Sequence, residues 1–239
     1  MFWNFQNQAE EAELLIAGDI IDDDDVWIYE WMDMKSTSPN SFKNELEKVK
    51  GKPLIVWIDS YGGNVFAATG IYNALKEHDG DITIKVDGKA MSAATIIAMA
   101  GDKIMMAPTS IFMIHNPLTM VEGYASDLRK TADVLDEIKE AIMNAYELKT
   151  KLSREHISEL MDSESYMSTK TAIKEGFVDE MLYADKREPE TLNFTFNRTQ
   201  ILNSTNESVR KIIEMQQSVV VPEDTSKEKA LLELEINRR

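Results

Sequence analysis

Residues 82–101, ITIKVDGKAMSAATIIAMAG, contain a predicted strand, a turn and a predicted helix. The pattern over 82–86 is typical of a strand, and the small apolar residues that follow Ser92 are compatible with a helix that ends before Gly101. Ser92 therefore lies where a strand turns into a helix, beside backbone N–H groups that have no partner within the helix. This position makes Ser92 a candidate nucleophile with a site for negative charge beside it. The alternative is that Ser92 is only an N-cap, a common place for serine.

The flanking segments alternate between predicted strands and helices. The strands are expected at 14–18, 53–59, 82–86, 103–107, 111–114 and 177–182; the helices are expected at 42–49, 65–75, 124–150, 154–161 and 169–175; and 26–32 is helix or strand. Because 53–59 is almost continuously apolar, we expect that strand to be buried on both faces. The alternation predicts an α/β fold with largely parallel strand pairing.

The predicted helix at 124–150 is unusually long, because no Gly or Pro interrupts it. At about 1.5 Å per residue it is roughly 40 Å long. A compact domain of this size does not need such a helix, so we expect part of it to pack on another subunit. The alternative is a surface helix that lies wholly on its own domain.

Composition limits the function classes. The formal net charge of −16 argues against binding to nucleic acid phosphates. The absence of cysteine excludes disulfides, thiolate metal sites and a cysteine nucleophile, and it suits a reducing cytoplasm. The acidic run at 22–25 lacks the spacing of a calcium loop, so a solvated turn is expected there. We expect neither a signal peptide nor a membrane span.

The 239 residues fit one domain with an appendage. We predict a flexible leader at 1–12, a catalytic domain at 13–183 and a polar extension at 184–239 that is partly flexible or helical. The extension is rich in Asn, Thr, Ser and charged residues and has few core-forming runs.

A glycine pair, Gly62 and Gly63, follows the buried strand and precedes a helix. Glycines at such a turn let a substrate chain approach the backbone closely. The N–H groups of Gly63 and Ala93 are candidates to face one oxyanion, as acyl transfer requires. A structural turn is the alternative, whereas a phosphate loop is excluded because no Lys-Ser or Lys-Thr follows.

Of the three histidines, His115 is the best candidate for a general base. It follows a predicted strand where sheet ends converge, whereas His78 and His156 are expected on polar helix surfaces. A buried structural histidine is the alternative. A catalytic imidazole must be held in one tautomer by an acid, and Asp162 and Glu164 are the candidates.

These segments together resemble the Clp-type serine peptidases, a family within the crotonase-like superfamily. The resemblance covers residues 13–183 and is carried by DSYGG (59–63), GKAMSA (88–93), MIHNPL (113–118), SYMS (165–168) and EGFVD (175–179). The segments WNF (3–5), IAMAGDK (97–103) and ELMDSESYMS (159–168) further resemble the bacteriophage and prophage branch of head maturation proteases. The resemblance implies a ClpP/crotonase-like fold of repeated strand-strand-helix units with a long protruding helix.

The resemblance also implies roles for individual residues. Ser92 matches the nucleophile, His115 the base, and Gly63 and Ala93 the oxyanion donors, with Gly62 at the substrate. Glu164 stands where the cellular family has the aspartate of the triad, and Asp162 is the second candidate.

The sequence differs from the cellular family in two further places. Tyr61 stands where that family usually has proline, and the N-terminus does not resemble the loops that dock an unfoldase. We therefore do not expect an unfoldase ATPase as partner.

The function implied is a serine endopeptidase that cleaves phage capsid or scaffold proteins during head maturation. Its subunits would form a homo-oligomeric ring in the host cytoplasm or prohead, without cofactor, metal, nucleic acid or membrane. The alternatives are a cellular Clp proteolytic subunit that works with an ATP-dependent unfoldase, a crotonase-like acyl-CoA enzyme, and a non-catalytic structural ring.

Overall fold

The computed structural model of the protein describes residues 6–7 and 11–184. Apart from Gln6, Asn7 and residues 11 and 12, the predicted leader lies outside the described residues. The same holds for the predicted extension beyond residue 184.

The described elements alternate along the chain as the sequence predicts. The strands are β1 (Gln6–Asn7), β2 (Ala12–Ile20), β3 (Ser36–Thr37), β4 (Leu54–Gly63), β5 (Ile82–Met91), β6 (Lys103–Met106), β7 (Ile111–Ile114), β8 (Ser165–Ser168) and β9 (Glu180–Met181). The α-helices are α1 (Val26–Trp31), α2 (Pro39–Glu47), α3 (Val65–Lys76), α4 (Ala93–Ala98), α5 (Ala125–Thr150), α6 (Arg154–Asp162) and α7 (Thr169–Lys174). A short 3-10 turn, Asp23–Asp25, precedes α1.

Within the described residues the strands form one sheet in the order β1-β2-β4-β5-β6-β9, with β3 beside β2 and β7 joined to both β5 and β8. The pairs along β2, β4, β5, β6 and β9 are parallel, and so is β5 with β7. Only the pairs β1–β2 and β7–β8 are antiparallel in this part of the chain. The α/β prediction with largely parallel pairing is therefore confirmed.

The core lies on both faces of the central strands. Side chains of Leu54, Ile55 and Val56 on β4 are all buried, which explains the continuous apolar run. All six residues of α4 are buried as well. Their small and β-branched side chains let this short helix contact both β4 and α3.

Several strands differ from the predictions in length or position. β4 and β5 continue past their apolar runs, because Ser60 still pairs with Ala90 and Gly63 still pairs with Ile20. Residues 165–168, predicted as loop and helix cap, form strand β8 against β7. The last strand is only Glu180–Met181, since backbone contacts to Ala172 hold the preceding residues in a turn. Residues 6–7 form β1 inside the predicted leader.

Helix α5 spans almost the predicted range and is unevenly buried. Its buried residues are Ile142, Met143, Ala145 and Tyr146, all in its C-terminal half. Nearly every side chain from residue 118 to residue 137 is exposed. None of the described helices combines the length and apolar character that crossing a bilayer requires.

Candidate active site

Ser92 lies at the junction between β5 and α4, as the sequence predicts. Its φ of 52° and ψ of −126° lie in a region that non-glycine residues rarely adopt. Its N–H donates to Met113 O at 2.8 Å, and its carbonyl oxygen accepts from the Thr95 N–H at 2.9 Å. These bonds hold the residue in a conformation that would otherwise relax.

The Ser92 hydroxyl is paired with His115 and does not cap the helix. Ser92 Oγ lies 2.7 Å from His115 Nε2, whereas no side-chain cap hydrogen bond is formed at the start of α4. The N-cap interpretation is therefore wrong for the side chain, although Ser92 holds the N-cap position. Ser92 follows β5 and His115 follows β7, and these strands pair in parallel, so the two residues meet at their carboxyl ends.

The His115 ring is partly buried beside an acidic residue. Burial lowers the pKa of its imidazole below the ordinary value of 6.5, and the Glu164 carboxylate opposes this shift. An imidazole with a lowered pKa is neutral at pH 7, which is the form that accepts a proton. The ring is therefore suited to act as a base toward the Ser92 hydroxyl.

Strand pairing brings Glu164 near His115. Ile114 on β7 and Ser165 on β8 form the last pair of this antiparallel ladder, and His115 follows Ile114 while Glu164 precedes Ser165. Glu164 has a positive φ of 46°, one of five non-glycine residues with this feature in the described chain. Ser92 is another, so two of these five residues belong to the candidate site.

Asp162 is engaged elsewhere. Its Oδ1 accepts hydrogen bonds from Asn116 Nδ2 at 2.8 Å and Lys139 Nζ at 2.6 Å, and the second oxygen accepts from Ser158. The Lys139 and Asn116 contacts lower the pKa of this carboxyl. Asp162 thus ties the end of α6 to α5 and to the loop after His115. Sequence analysis missed this cluster, since its members lie 23 and 46 residues from Asp162 along the chain.

The glycine pair lies against the serine. A Cβ atom on Gly62 would lie 2.8 Å from Ser92 Cβ and 2.9 Å from Ala93 N, so only glycine fits there. At Gly63, with a φ of 142°, a Cβ would collide with Ile20 O. Ala93 is the first residue of α4, and its N–H has no acceptor within the helix. Gly62 and Ala93 thus lie beside the serine, and the oxyanion role of Gly63 and Ala93 stays a prediction.

The other two histidines lie apart from this group. His78 Nε2 is 2.8 Å from Lys52 O and is half-buried rather than solvated, which corrects the expectation for that residue. His156 Nε2 lies 2.9 Å from Glu175 Oε2 on a partly exposed helix surface. Among the described residues, no three His, Asp or Glu side chains are grouped as metal ligands.

A second contact that sequence analysis missed joins the serine turn to α5. Thr95 Oγ1 donates to Ser92 O at 2.5 Å and lies 2.6 Å from the Tyr146 hydroxyl. All three groups are inside the fold, and Tyr146 is 1% exposed. The buried half of α5 therefore packs directly beneath the candidate nucleophile.

Comparison with known sequences identifies the family. The sequence model of the Clp protease family, described as "Clp protease", matches residues 28–185, which is more than half of the chain. The chain belongs to the Clp protease family. Residues 28–185 include every candidate site residue, from Gly62 to Glu164.

Two relatives share the name ATP-dependent Clp protease proteolytic subunit. The relative from Carsonella ruddii is 31% identical over 140 residues, or 58% of this chain and 72% of that protein. The relative from Bacteroides fragilis is 30% identical over 134 residues, or 55% of this chain and 65% of that protein, slightly less than two thirds of its length.

A solved structure supports the fold. A ClpP1 point mutant from Listeria monocytogenes aligns with a TM-score of 0.59 at 23% identity, over 71% of this chain and 90% of that one. The α/β architecture with a ClpP-like arrangement is therefore confirmed. At this level of identity the likeness concerns the fold alone.

Proposed function

We propose that the protein is a serine endopeptidase with Ser92 as nucleophile, His115 as general base and Glu164 as the acid that orients His115. The observation that carries this proposal is the 2.7 Å contact between Ser92 Oγ and His115 Nε2. Membership of the Clp protease family supports peptidase activity on independent grounds.

In the proposed reaction, Ser92 Oγ attacks the peptide carbonyl while its proton passes to His115 Nε2. The N–H groups of Gly63 and Ala93 stabilise the oxyanion. Collapse of the intermediate breaks the C–N bond, and His115 gives its proton to the leaving amine. Water then attacks the acyl ester, again losing a proton to His115, and Ser92 is regenerated as the acid product leaves.

Glu164 is the better candidate for the third residue. Its carboxylate acts on the His115 charge, whereas Asp162 is held by Lys139 and Asn116. No hydrogen bond joins the Glu164 and His115 side chains in the described part of the chain. We propose that this bond forms when substrate is bound, as catalytic hydrogen bonds often tighten only in the complex.

The rival functions explain less of the site. A crotonase-like acyl-CoA enzyme uses paired N–H donors but needs no serine hydroxyl paired with an imidazole. A structural ring needs neither the Ser92–His115 contact nor strained backbone at Ser92 and Glu164. The peptidase proposal accounts for all of these features.

For the biological role, we propose cleavage of phage capsid or scaffold proteins by a homo-oligomeric ring. The support is the likeness of WNF (3–5), IAMAGDK (97–103) and ELMDSESYMS (159–168) to the head maturation branch. The second candidate is a cellular subunit that works with an ATP-dependent unfoldase, and the names of the two relatives favour it. Incubation with immature heads, or with an unfoldase and ATP, separates the two roles by the substrate that is cut.

The activity itself is tested by labelling with a fluorophosphonate. We expect one modified peptide, which contains Ser92, and no labelling of the Ser92→Ala protein. Hydrolysis of denatured casein should be present in the protein that is labelled and absent from Ser92→Ala. Labelling of a different serine, or no label at all, would contradict the proposed function.

A further inference from the structure

A cavity of about 420 Å³ adjoins the glycine pair. Its walls come from the carboxyl end of β2, from α1 and the turn before it, and from the end of β4. Gly62 and Gly63 belong to the wall, and Gly62 also contacts Ser92 and Ala93. The cavity and the candidate nucleophile therefore share Gly62 as a neighbour.

The cavity carries negative charge. Asp19 and Asp25 both line it, and no Lys, Arg or His does so among the residues that the structure describes. The Tyr29 hydroxyl donates to Asp19 Oδ2 at 3.1 Å. Burial, together with the Asp19 charge, raises the pKa of Tyr29 to about 12, so the phenol stays a donor at neutral pH. No lysine, arginine or histidine side chain of the described chain forms an ion pair with Asp19.

Two aromatic rings complete the walls. Tyr29 faces the cavity from α1, and Tyr61 faces it from β4. Lys89 Nζ lies 4.2 Å from the centre of the Tyr61 ring and is itself held 2.6 Å from Asp59 Oδ1. This pair of contacts positions the Tyr61 ring at the cavity. Carboxylates beside aromatic rings are the surroundings that a lysine or arginine side chain binds best.

We propose that this cavity binds a lysine or arginine side chain of the substrate, within three residues of the scissile bond, with Asp19 as the specificity-determining residue. The inference rests on the proposed peptidase function. A neutral side chain of equal length leaves the half-buried Asp19 carboxylate without a cationic partner, and an acidic one is repelled by it. The enzyme therefore selects sites with a basic residue beside the cut.

Binding to the inactive Ser92→Ala protein tests the cavity without requiring catalysis. A set of fluorescent dodecapeptides carries arginine at one position, and a matched set carries citrulline, which has nearly the same shape but no charge. We expect the arginine peptides to bind about tenfold more tightly, the scale of one charge-assisted hydrogen bond. Asp19→Asn should remove this preference, since asparagine can still accept from Tyr29 but carries no charge.

The matched control is Asp24→Asn. Asp24 lies on the acidic turn but does not line the cavity, and Asp24→Asn removes the same charge as Asp19→Asn. The preference should survive in this variant. Equal binding of arginine and citrulline peptides, or equal loss in both Asp variants, would overturn the inference.

A second measurement keeps this inference separate from the peptidase proposal. Cleavage sites in denatured casein are mapped for wild-type protein and for Asp19→Asn. Enrichment of basic residues near the wild-type cuts, lost in Asp19→Asn, supports the inference. Cleavage without such enrichment contradicts the inference while the peptidase function stands. Absence of fluorophosphonate labelling contradicts the function, and the binding result still decides the role of Asp19.

Discussion

Ser92 has an unfavourable backbone conformation, and this conformation places its hydroxyl beside His115. A positive φ at a non-glycine residue costs about 1–3 kcal/mol. The bonds from Met113 and Thr95 hold the residue there, and its hydroxyl meets His115 as a result. Stability and proposed activity therefore make opposite demands on this residue.

Ser92→Ala and Ser92→Gly should both abolish peptide hydrolysis, because each lacks the nucleophilic oxygen. Since Ser92 makes no cap hydrogen bond, Ser92→Ala should change the free energy of unfolding by less than about 0.5 kcal/mol. Ser92→Gly should be about 1 kcal/mol more stable than Ser92→Ala, since glycine accepts the positive φ. Urea unfolding and a peptide assay measure both effects. Turnover by Ser92→Ala, or a glycine variant less stable than the alanine variant, would contradict this account.

The pH dependence should identify the acid. Protonation of His115 stops it from accepting the serine proton, so kcat/KM should fall on acidification, with a midpoint below 6.5 because burial lowers that pKa. Glu164 raises the His115 pKa, so Glu164→Gln should move the midpoint lower still. The same change should reduce kcat/KM at pH 8 by about a hundredfold or more.

Asp162→Asn is the matched control, because it removes a neighbouring carboxylate that is paired with Lys139. It should leave the midpoint of the pH profile unchanged and reduce the rate much less. A larger effect of Asp162→Asn on both quantities would assign the acid role to Asp162.

At the scale of elements, α4 and α5 are joined beneath the site by one polar contact in an apolar core. Thr95 on α4 bonds both to Ser92 O and to the Tyr146 hydroxyl on α5. A buried hydroxyl that loses its partner costs about 1–3 kcal/mol. The contact thus links the packing of the long helix to the shape of the serine turn.

Thr95→Val should lower the free energy of unfolding by about 1–3 kcal/mol, because it leaves the Tyr146 hydroxyl buried without that partner. Tyr146→Phe should cost about 1 kcal/mol, and the double variant should cost no more than Thr95→Val alone. Thr95→Val should also lower kcat, because the Ser92 carbonyl loses one of its two donors.

Thr131→Val provides the control for this experiment. Thr131 also lies on a helix and bonds a backbone carbonyl, Asp127 O, but this hydrogen bond is exposed and the side chain is only partly buried. Its replacement should change stability by less than about 0.5 kcal/mol. Strictly additive effects of Thr95→Val and Tyr146→Phe would show that the two hydroxyls do not interact.

At the scale of the whole molecule, the first half of α5 presents apolar side chains that the described chain does not cover. Leu128 is 45% exposed and Val134 is 48% exposed, and Met120 and Tyr124, which precede the helix, are more exposed still. Such a surface is typical of a subunit contact. The sequence prediction that part of this helix packs on another subunit remains a prediction.

We expect the purified protein to sediment as a large oligomer, and Leu128→Glu to reduce its size by placing a charge in the contact. Lys130→Glu, an exposed charge change two residues along the same helix, should leave the oligomer intact. Analytical ultracentrifugation at micromolar concentration measures both variants. A monomeric wild-type protein, or equal effects of the two substitutions, would contradict the expected contact.

Local patterns in the sequence were enough to predict the elements that carry the candidate site. About ten residues are enough to predict each of three features: the apolar run before Gly62 and Gly63, the turn at Ser92, and the strand before His115. The long helix could be predicted in the same way, because hydrophobic spacing and the absence of Gly and Pro are local features of the sequence. The nucleophile and base could be proposed because an α/β sheet brings the carboxyl ends of its parallel strands to one edge.

Contacts between distant segments depend on strand order and register, which no local pattern encodes. Antiparallel pairing of β7 with β8 brings Glu164 near His115, whereas Asp162 is held by Lys139 and Asn116. Continued pairing at the end of β4 brings Tyr61 to the cavity lined by Asp19 and Tyr29. Packing of α5 under the sheet end brings Tyr146 to Thr95. Side chains with no shared spacing thus become neighbours through burial and long-range hydrogen bonding, and these neighbours set the environment of the serine.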